Sequence, residues 1–200
     1  MVNPFELNYK NATTTELEEF MLFCIAVAGK NATITSMLLR DMWEVNKTLW
    51  PSPFEYVKAH RNPRNLADIM RQVGFGCYNV KAASWWEMAC SGVNLRTVSI
   101  EELESFYGIG PKTSRFFVLH TRDNVRCACL DTHVLKFLRD CGHKTPKSTP
   151  SSKKQYRFLE GLFLEECDKR GVDPKEFDLE VWTKYTKNKK EEFNAAIAHN

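Results

Sequence analysis

The sequence predicts an all-α fold, and three observations carry that expectation. Apolar residues recur at helical spacing through most of the chain, as in Leu66, Ile69, Met70 and Val73. Helix-start signals precede such runs, notably Thr13-Thr14-Thr15-Glu16 and Ser99-Ile100-Glu101-Glu102, where a hydroxyl and a carboxylate three positions on can satisfy two helix-start amides reciprocally. Strand-like alternation is confined to one short segment, Val125 to Leu130.

In order, the first helix is expected from Leu17 to Ala28, broken by Gly29-Lys30-Asn31, and a second from about Thr33 to Thr48, closed by Pro51 and Pro53. Pro53-Phe54-Glu55 starts a short helix, and Asn62-Pro63 opens one that runs to Val73. After the turn Gly74-Phe75-Gly76, Tyr78-Asn79-Val80-Lys81-Ala82 leads into a helix whose Trp85, Trp86 and Met88 are read as core. The Ser99 box predicts a helix from Ile100 to Tyr107 that stops at Gly108. A polar stretch from His143 to Lys154 holds two prolines and is a surface connector. Two last helices are expected, about Lys154 to Arg170 and Leu179 to Lys187 or beyond, with Pro174 in the loop between them.

The chain has 200 residues, 43% of them hydrophobic, enough for one compact domain or two lobes and too many for a disordered chain. A net charge of +3 permits nucleic-acid binding only through local placement of Lys and Arg. The longest apolar run, Phe20 to Ala28, is too short to span a bilayer, and no segment resembles a secretory signal, so a soluble, intracellular protein without membrane association is expected. The seven cysteines (Cys24, Cys77, Cys90, Cys127, Cys129, Cys141, Cys167) include no C-x-x-C pair. They are expected to be reduced, mostly buried thiols, with no metal site.

Phe106-Tyr107-Gly108-Ile109-Gly110-Pro111-Lys112-Thr113 joins two helices through a turn with glycines two apart and a proline suited to the first helical position. An ordinary helix-helix turn is one reading. The other is anion binding, in which the free amides of the second helix approach a phosphate closely over the bare glycines. Lys112 stands in the first turn of that helix, where the positive end of the dipole disfavours a cation and favours the neutral amine that a nucleophile requires. Asp131, in Leu130-Asp131-Thr132-His133-Val134, is the natural N-cap of a helix with Val134, Phe137, Leu138 and Cys141 on one face. The amides that a cap satisfies also keep its carboxylate ionised. Fixed negative charge beside a neutral amine suits chemistry that passes through a sugar cation, as in glycosidic-bond cleavage.

Gly-Ile-Gly-Pro-Lys-Thr, followed nineteen positions after Lys112 by the Asp of Leu-Asp-Thr-His-Val, resembles the helix-hairpin-helix, Gly/Pro and Asp signature of the endonuclease III and 8-oxoguanine DNA glycosylase superfamily. Gly76-Cys77-Tyr78-Asn79-Val80-Lys81-Ala82 is similar to a segment of endonuclease III, as are Ile25-Ala26-Val27 and Asn31-Ala32-Thr33. The resemblance implies two helical lobes flanking a DNA-binding cleft. One would span 15–125, with the hairpin at about 100–121; the other would comprise 1–14 and 126–200 and carry the catalytic Asp. It also implies a base-excision glycosylase with AP-lyase activity, acting as a monomer on double-stranded DNA with a damaged base or abasic site. Lys112 would form the Schiff base and Asp131 supply the carboxylate. Gly108, Gly110 and Thr113 would meet the DNA backbone. Asn31 falls near a residue that enters the gap left by a flipped base, and is equally a plain turn residue. His133 is expected to pack rather than react.

One departure bears on cofactors. Endonuclease III carries four C-terminal cysteines for an iron–sulfur cluster, whereas only Cys141 and Cys167 follow Asp131 here, so no cluster is expected. Packing by Phe158, Leu159, Leu162, Phe163, Phe177, Leu179 and Trp182 should hold that lobe instead. Lys144, Lys147, Lys153, Lys154, Lys184, Lys187, Lys189 and Lys190 are either phosphate contacts or solvated charge. The damaged base is expected to be oxidised, either 8-oxoguanine or a pyrimidine. Two alternatives stand beside this reading: a monofunctional glycosylase in which Asp131 activates water, and a non-enzymatic module that only grips DNA.

Overall fold

The computed structural model describes residues 10–46 and 48–198, the side chains of 44, 45 and 187–198 excepted. Its elements are ten helices: α1 Thr14–Ala26, α2 Ala32–Asn46, α3 Pro53–Ala59, α4 Pro63–Val73, α5 Tyr78–Cys90, α6 Ile100–Leu103, α7 Pro111–Thr121, α8 Thr132–Asp140, α9 Lys153–Arg170 and α10 Pro174–Ala198. Among the described residues there is no strand, and no helix is long and apolar enough to cross a membrane. The chain divides into two compact units, Met1–Arg122 and Asp123–Asn200. Of the segment 1–14, residues 1–9 lie outside the described residues; Ala12 is buried, and its carbonyl accepts from Arg96 within the first unit.

In the first unit α1 is the central helix. The Thr13 box forms as expected: the Glu16 amide donates to Thr13 Oγ1 at 3.2 Å and the Thr13 amide to Glu16 Oε2 at 2.7 Å. Every residue from Leu17 to Ala26 is buried, so beyond its first turn α1 has no solvent face. Its two buried carboxylates therefore need partners, and the Phe54 amide at the start of α3 donates to Glu18 Oε2 at 3.0 Å. Trp85 on α5, 1% exposed, donates its Nε1–H to the Leu22 carbonyl at 3.0 Å, which fixes α5 on α1. Phe20 stacks on Phe117 of α7 with centroids 5.9 Å apart. Burying each such side chain contributes roughly 1.5–3 kcal/mol.

The second unit is built on Phe137, Phe163 and Phe177, whose rings meet at 5.1–6.2 Å, surrounded by Leu130, Leu135, Leu138, Leu159 and Val181. Phe158 departs from expectation. It is 63% exposed, because the face of α9 that packs inward carries Tyr156, Leu159 and Phe163, and Phe158 lies off that line. Leu162, Leu179 and Trp182 are half-buried. All seven cysteines are free thiols; Cys24, Cys127, Cys129 and Cys167 are buried, and Cys77 and Cys90 are exposed.

Two further expectations are corrected. α6 ends at Leu103, not Tyr107, because the chain tightens into i to i−3 bonds (Ser105 amide to Glu102 carbonyl, 3.1 Å; Phe106 to Leu103, 3.2 Å). α10 begins at Pro174 rather than Leu179: the proline takes the first helical position behind Asp173, whose Oδ1 accepts the Lys175 amide at 2.8 Å. The alternating segment before Asp131 forms no strand among the described residues, in keeping with the all-α expectation, for a reason given below.

Glu166, 7% exposed, accepts from Lys169 Nζ at 2.7 Å and from Arg170, whose guanidinium also lies over the Phe137 and Phe177 rings at 5.2 and 5.4 Å. Hydrogen bonds from Lys169 and then Arg170 hold its carboxyl down from the ordinary 4.5 to about 2, against the opposing effect of burial. A depressed carboxylate stabilises the fold above its unfolded pKa and loses that contribution as pH falls through the folded one. Glu166→Gln should thus melt below wild type at neutral pH, with the gap in Tm narrowing as pH falls from about 4.5 towards about 2. An unchanged gap across that window would contradict the assignment.

Candidate active site

The residues singled out in the sequence fall in both units. In the first, the hairpin lies between α6 and α7. Gly108 has φ +74, and a Cβ there would overlap Ser84 Oγ and sit 3.3 Å from Val80 Cγ1, so both backbone and neighbours demand glycine. The turn is fastened to α5 on its other side: Ser84 Oγ donates to the Tyr107 carbonyl, and the Tyr107 amide donates to Glu87 Oε2 at 3.0 Å. Gly110 differs. Its φ is −100, and a Cβ there would meet nothing within 4 Å, so neither strain nor crowding explains the glycine. A bare backbone facing open space is what close approach of a ligand requires.

Gly110 is the N-cap of α7 and supplies no side-chain cap. Pro111 has no N–H and the Ser114 amide is spent on the Gly110 carbonyl at 3.1 Å, which leaves the Lys112 and Thr113 amides as the helix-start donors. Thr113 itself is 6% exposed, so what it can offer a ligand is this amide rather than its hydroxyl. Lys112 is half-buried, its Nζ 5.9 Å from the centroid of the Phe116 ring. Cys24 on α1 is nearby. Burial pushes its thiol well above the ordinary range, and the Lys112 charge acts in the opposite sense.

A buried ion pair, not visible in the sequence, locks the hairpin. Arg115 Nη1 meets Glu104 Oε1 at 2.7 Å with both side chains 8% exposed, and also donates to the Pro111 carbonyl at 3.3 Å. Glu104 follows α6 and Arg115 lies in α7, so the pair sets the angle at which α7 presents Lys112. Asn31, by contrast, is used locally: its Oδ1 accepts the Ile34 amide at 3.0 Å and starts α2.

In the second unit Asp131 is the N-cap of α8, its Oδ1 accepting the His133 and Val134 amides, both at 2.8 Å. His133 meets the Trp182 ring edge-on at 6.3 Å. Cys127 to Leu130, the run before Asp131, is wholly buried, so its backbone groups need partners. Side chains supply them. Tyr156 Oη accepts the Leu130 amide at 3.0 Å and donates to the Ala128 carbonyl at 2.9 Å; Glu160 Oε1 accepts the Ala128 amide at 3.0 Å; Thr149 Oγ1 donates to the Leu130 carbonyl at 2.8 Å. The segment forms no strand, the Asp131 amide turns back onto the Cys129 carbonyl at 2.7 Å, and α9 carries the Tyr156 and Glu160 groups that hold the run leading into Asp131. Lys144, Lys147, Lys153, Lys154 and Lys184 are exposed, while the side chains of Lys187, Lys189 and Lys190 lie outside the described residues. Among the described residues no three His, Cys, Asp or Glu side chains are grouped to hold a metal ion.

No family model matches the sequence, and no curated protein matches it at significance. Solved structures do. The 8-oxoguanine DNA glycosylase of Thermotoga maritima has a TM-score of 0.66 to this chain, covering 87% of it and 81% of that chain at 22% sequence identity. The Methanocaldococcus jannaschii 8-oxoguanine glycosylase/lyase, in complex with 15mer DNA containing 8-oxoguanine, has a TM-score of 0.67 over 89% of this chain and 84% of that one at 20% identity. The 8-oxoguanine DNA glycosylase of M. jannaschii, in a further structure, has a TM-score of 0.65 over 89% and 81% at 19% identity. The likeness is one of fold.

The two glycines should separate in a stability assay. Gly108→Ala should lose about 1–3 kcal/mol from left-handed strain and the Ser84 clash, while Gly110→Ala should stay within about 1 kcal/mol of wild type by urea unfolding. Equal losses would mean that Gly110 is structural. Tyr156→Phe, which strands the Leu130 amide and the Ala128 carbonyl, should cost about 1–3 kcal/mol in the same assay.

Proposed function

We propose that the protein is a base-excision DNA glycosylase with AP-lyase activity, in which Lys112 is the nucleophile and Asp131 the catalytic carboxylate. The observation that carries this reading is the start of α7: a lysine in the first turn, behind a glycine N-cap that offers no side-chain hydrogen bond and faces open space. Such a helix start suits a phosphate. Asp131, held by two amides, has the geometry of a carboxylate kept ionised. The shared fold with three structures of 8-oxoguanine DNA glycosylases supports the same class, and 8-oxoguanine is the first substrate to expect.

The chemistry follows from these groups. With the damaged nucleotide out of the duplex, the neutral Lys112 amine attacks C1′ as the glycosidic bond breaks and the base departs with a proton. Negative charge on Asp131 stabilises the cationic character of the sugar in the transition state. Ring opening gives an imine between Lys112 Nζ and C1′. Loss of a proton from C2′ then expels the 3′-phosphate, and water hydrolyses the imine to free the lysine. DNA in a cleft flanked by two lobes, a single copy of the chain and no iron–sulfur cluster complete the proposal.

Borohydride trapping on duplexes with 8-oxoguanine, an oxidised pyrimidine or an abasic site tests it. Wild type should form a covalent adduct that vanishes in Lys112→Gln. Asp131→Asn retains a capping oxygen, so it should fold within about 1 kcal/mol of wild type while excision slows on the order of a hundredfold or more. Excision without trapping would establish the water-activating mechanism instead; binding with neither would leave a module that only grips DNA.

A further inference from the structure

The start of α5 holds an arrangement that the chemistry above does not use. Gly74-Phe75-Gly76 delivers the chain to Cys77, which serves as N-cap in the left-handed region (φ 57, ψ 34) and makes no side-chain hydrogen bond to the amides that follow. One turn into the helix stands Lys81. It is 4% exposed, and its Nζ is buried with no hydrogen-bond partner. Helical side chains lean back towards the N-terminus, and Lys81 Nζ accordingly lies 6.0 Å from the centroid of Phe75, beside the turn. A second lysine arrives from the loop before α2: a Cβ on Gly76 would overlap Lys30 Nζ and sit 2.6 Å from its Cε, so the bare glycine is what lets that chain lie across the turn.

Each of these features is unfavourable on its own. A buried ammonium without a partner is costly, a second cation beside it adds repulsion, and a helix start without a cap leaves positive amides exposed to both. Burial lowers the Lys81 pKa, and the Lys30 charge lowers it further, while Cys77 acts in the opposite sense. One anion relieves all three. Two ammonium groups and a fan of amides match a tetrahedral oxyanion with several acceptor oxygens better than a planar carboxylate.

We infer that Lys30, Lys81 and the first amides of α5 bind a phosphodiester of the DNA backbone, at a site separate from the hairpin. The inference rests on the DNA-glycosylase reading, and α5 ties it to that reading: Ser84 and Glu87 of the same helix hold the hairpin turn, and Val80 packs beside Gly108. The six residue steps from Tyr78 to Ser84 span roughly 9 Å at the helical rise, a distance that a few nucleotides of backbone cover.

Fluorescence anisotropy on a duplex with a stable abasic analogue, titrated from about 50 to 200 mM KCl, provides the test. Relative to wild type, Lys30→Met/Lys81→Met should bind about tenfold more weakly at the low-salt end, with a log–log salt slope shallower by about one, equally on damaged and undamaged duplex. Lys81→Met alone, freed of an unpartnered buried cation, should melt no lower than wild type without DNA. If it fails to fold, exposed Lys30→Met carries the affinity and slope measurement. Unchanged affinity and slope, in a protein whose wild type still traps with borohydride, overturn the phosphate site and leave the glycosylase standing. A wild type that neither binds nor traps overturns both. A saturable rise in Tm with inorganic phosphate over matched chloride, lost in Lys81→Met while DNA binding is unchanged, would assign the site to free phosphate and sink the DNA assignment.

Discussion

A helix cannot satisfy its own first amides, and much of this structure records how that constraint is met. Thr13, Asn31, Ser52, Asn62, Ser99, Asp131, Ser152 and Asp173 each turn a side-chain oxygen onto a helix start. Among the described helices α5 and α7 begin without one, behind Cys77 and Gly110. Each of these two has a lysine close to its uncapped start, Lys81 and Lys112, whereas the lysines that open α9 and α10 (Lys153, Lys154 and Lys175) stand behind side-chain caps. Where the fold leaves amides unanswered, a ligand's oxygens are the natural partner, and both binding proposals rest on that asymmetry. At Asp131 the capping bonds that begin α8 fall on the very carboxylate proposed for catalysis.

Neither candidate group is held by its own element alone. The orientation of α7 depends on the buried Glu104–Arg115 pair and on the bonds from α5 to Tyr107; the segment that delivers Asp131 depends on Tyr156, Glu160 and Thr149. The Glu104–Arg115 pair and the Tyr156 bonds are buried and made between partners, the condition under which polar groups add geometric precision rather than cost. A loop fixed in this way behaves as part of the scaffold.

Local chemistry explains how much of this was legible in advance. The all-α class, the hairpin and the N-cap role of Asp131 follow from short-range signals: caps, prolines at the first helical position and apolar spacing. What escaped the sequence depends on residues far apart. α6 is short because Glu104 turns to meet Arg115 eleven residues on. The extended run before Asp131 reads as a strand because burial on both sides selects the same residues, and only the position of Tyr156 shows that side chains replace the missing ladder. The buried state of Lys81 was equally hidden, since a lysine within a helix ordinarily signals solvent.

That replaced ladder also bears on how the chain avoids its own copies. An apolar, buried stretch whose backbone groups are taken up by side chains has the makings of an edge strand held in check, and α9 supplies two of the three side chains that hold it. Local undocking of α9 would release the Ala128 amide and carbonyl and the Leu130 amide together and leave a β-prone template open to another chain. The docking of one helix thereby guards the protein's colloidal behaviour as well as the placement of its aspartate.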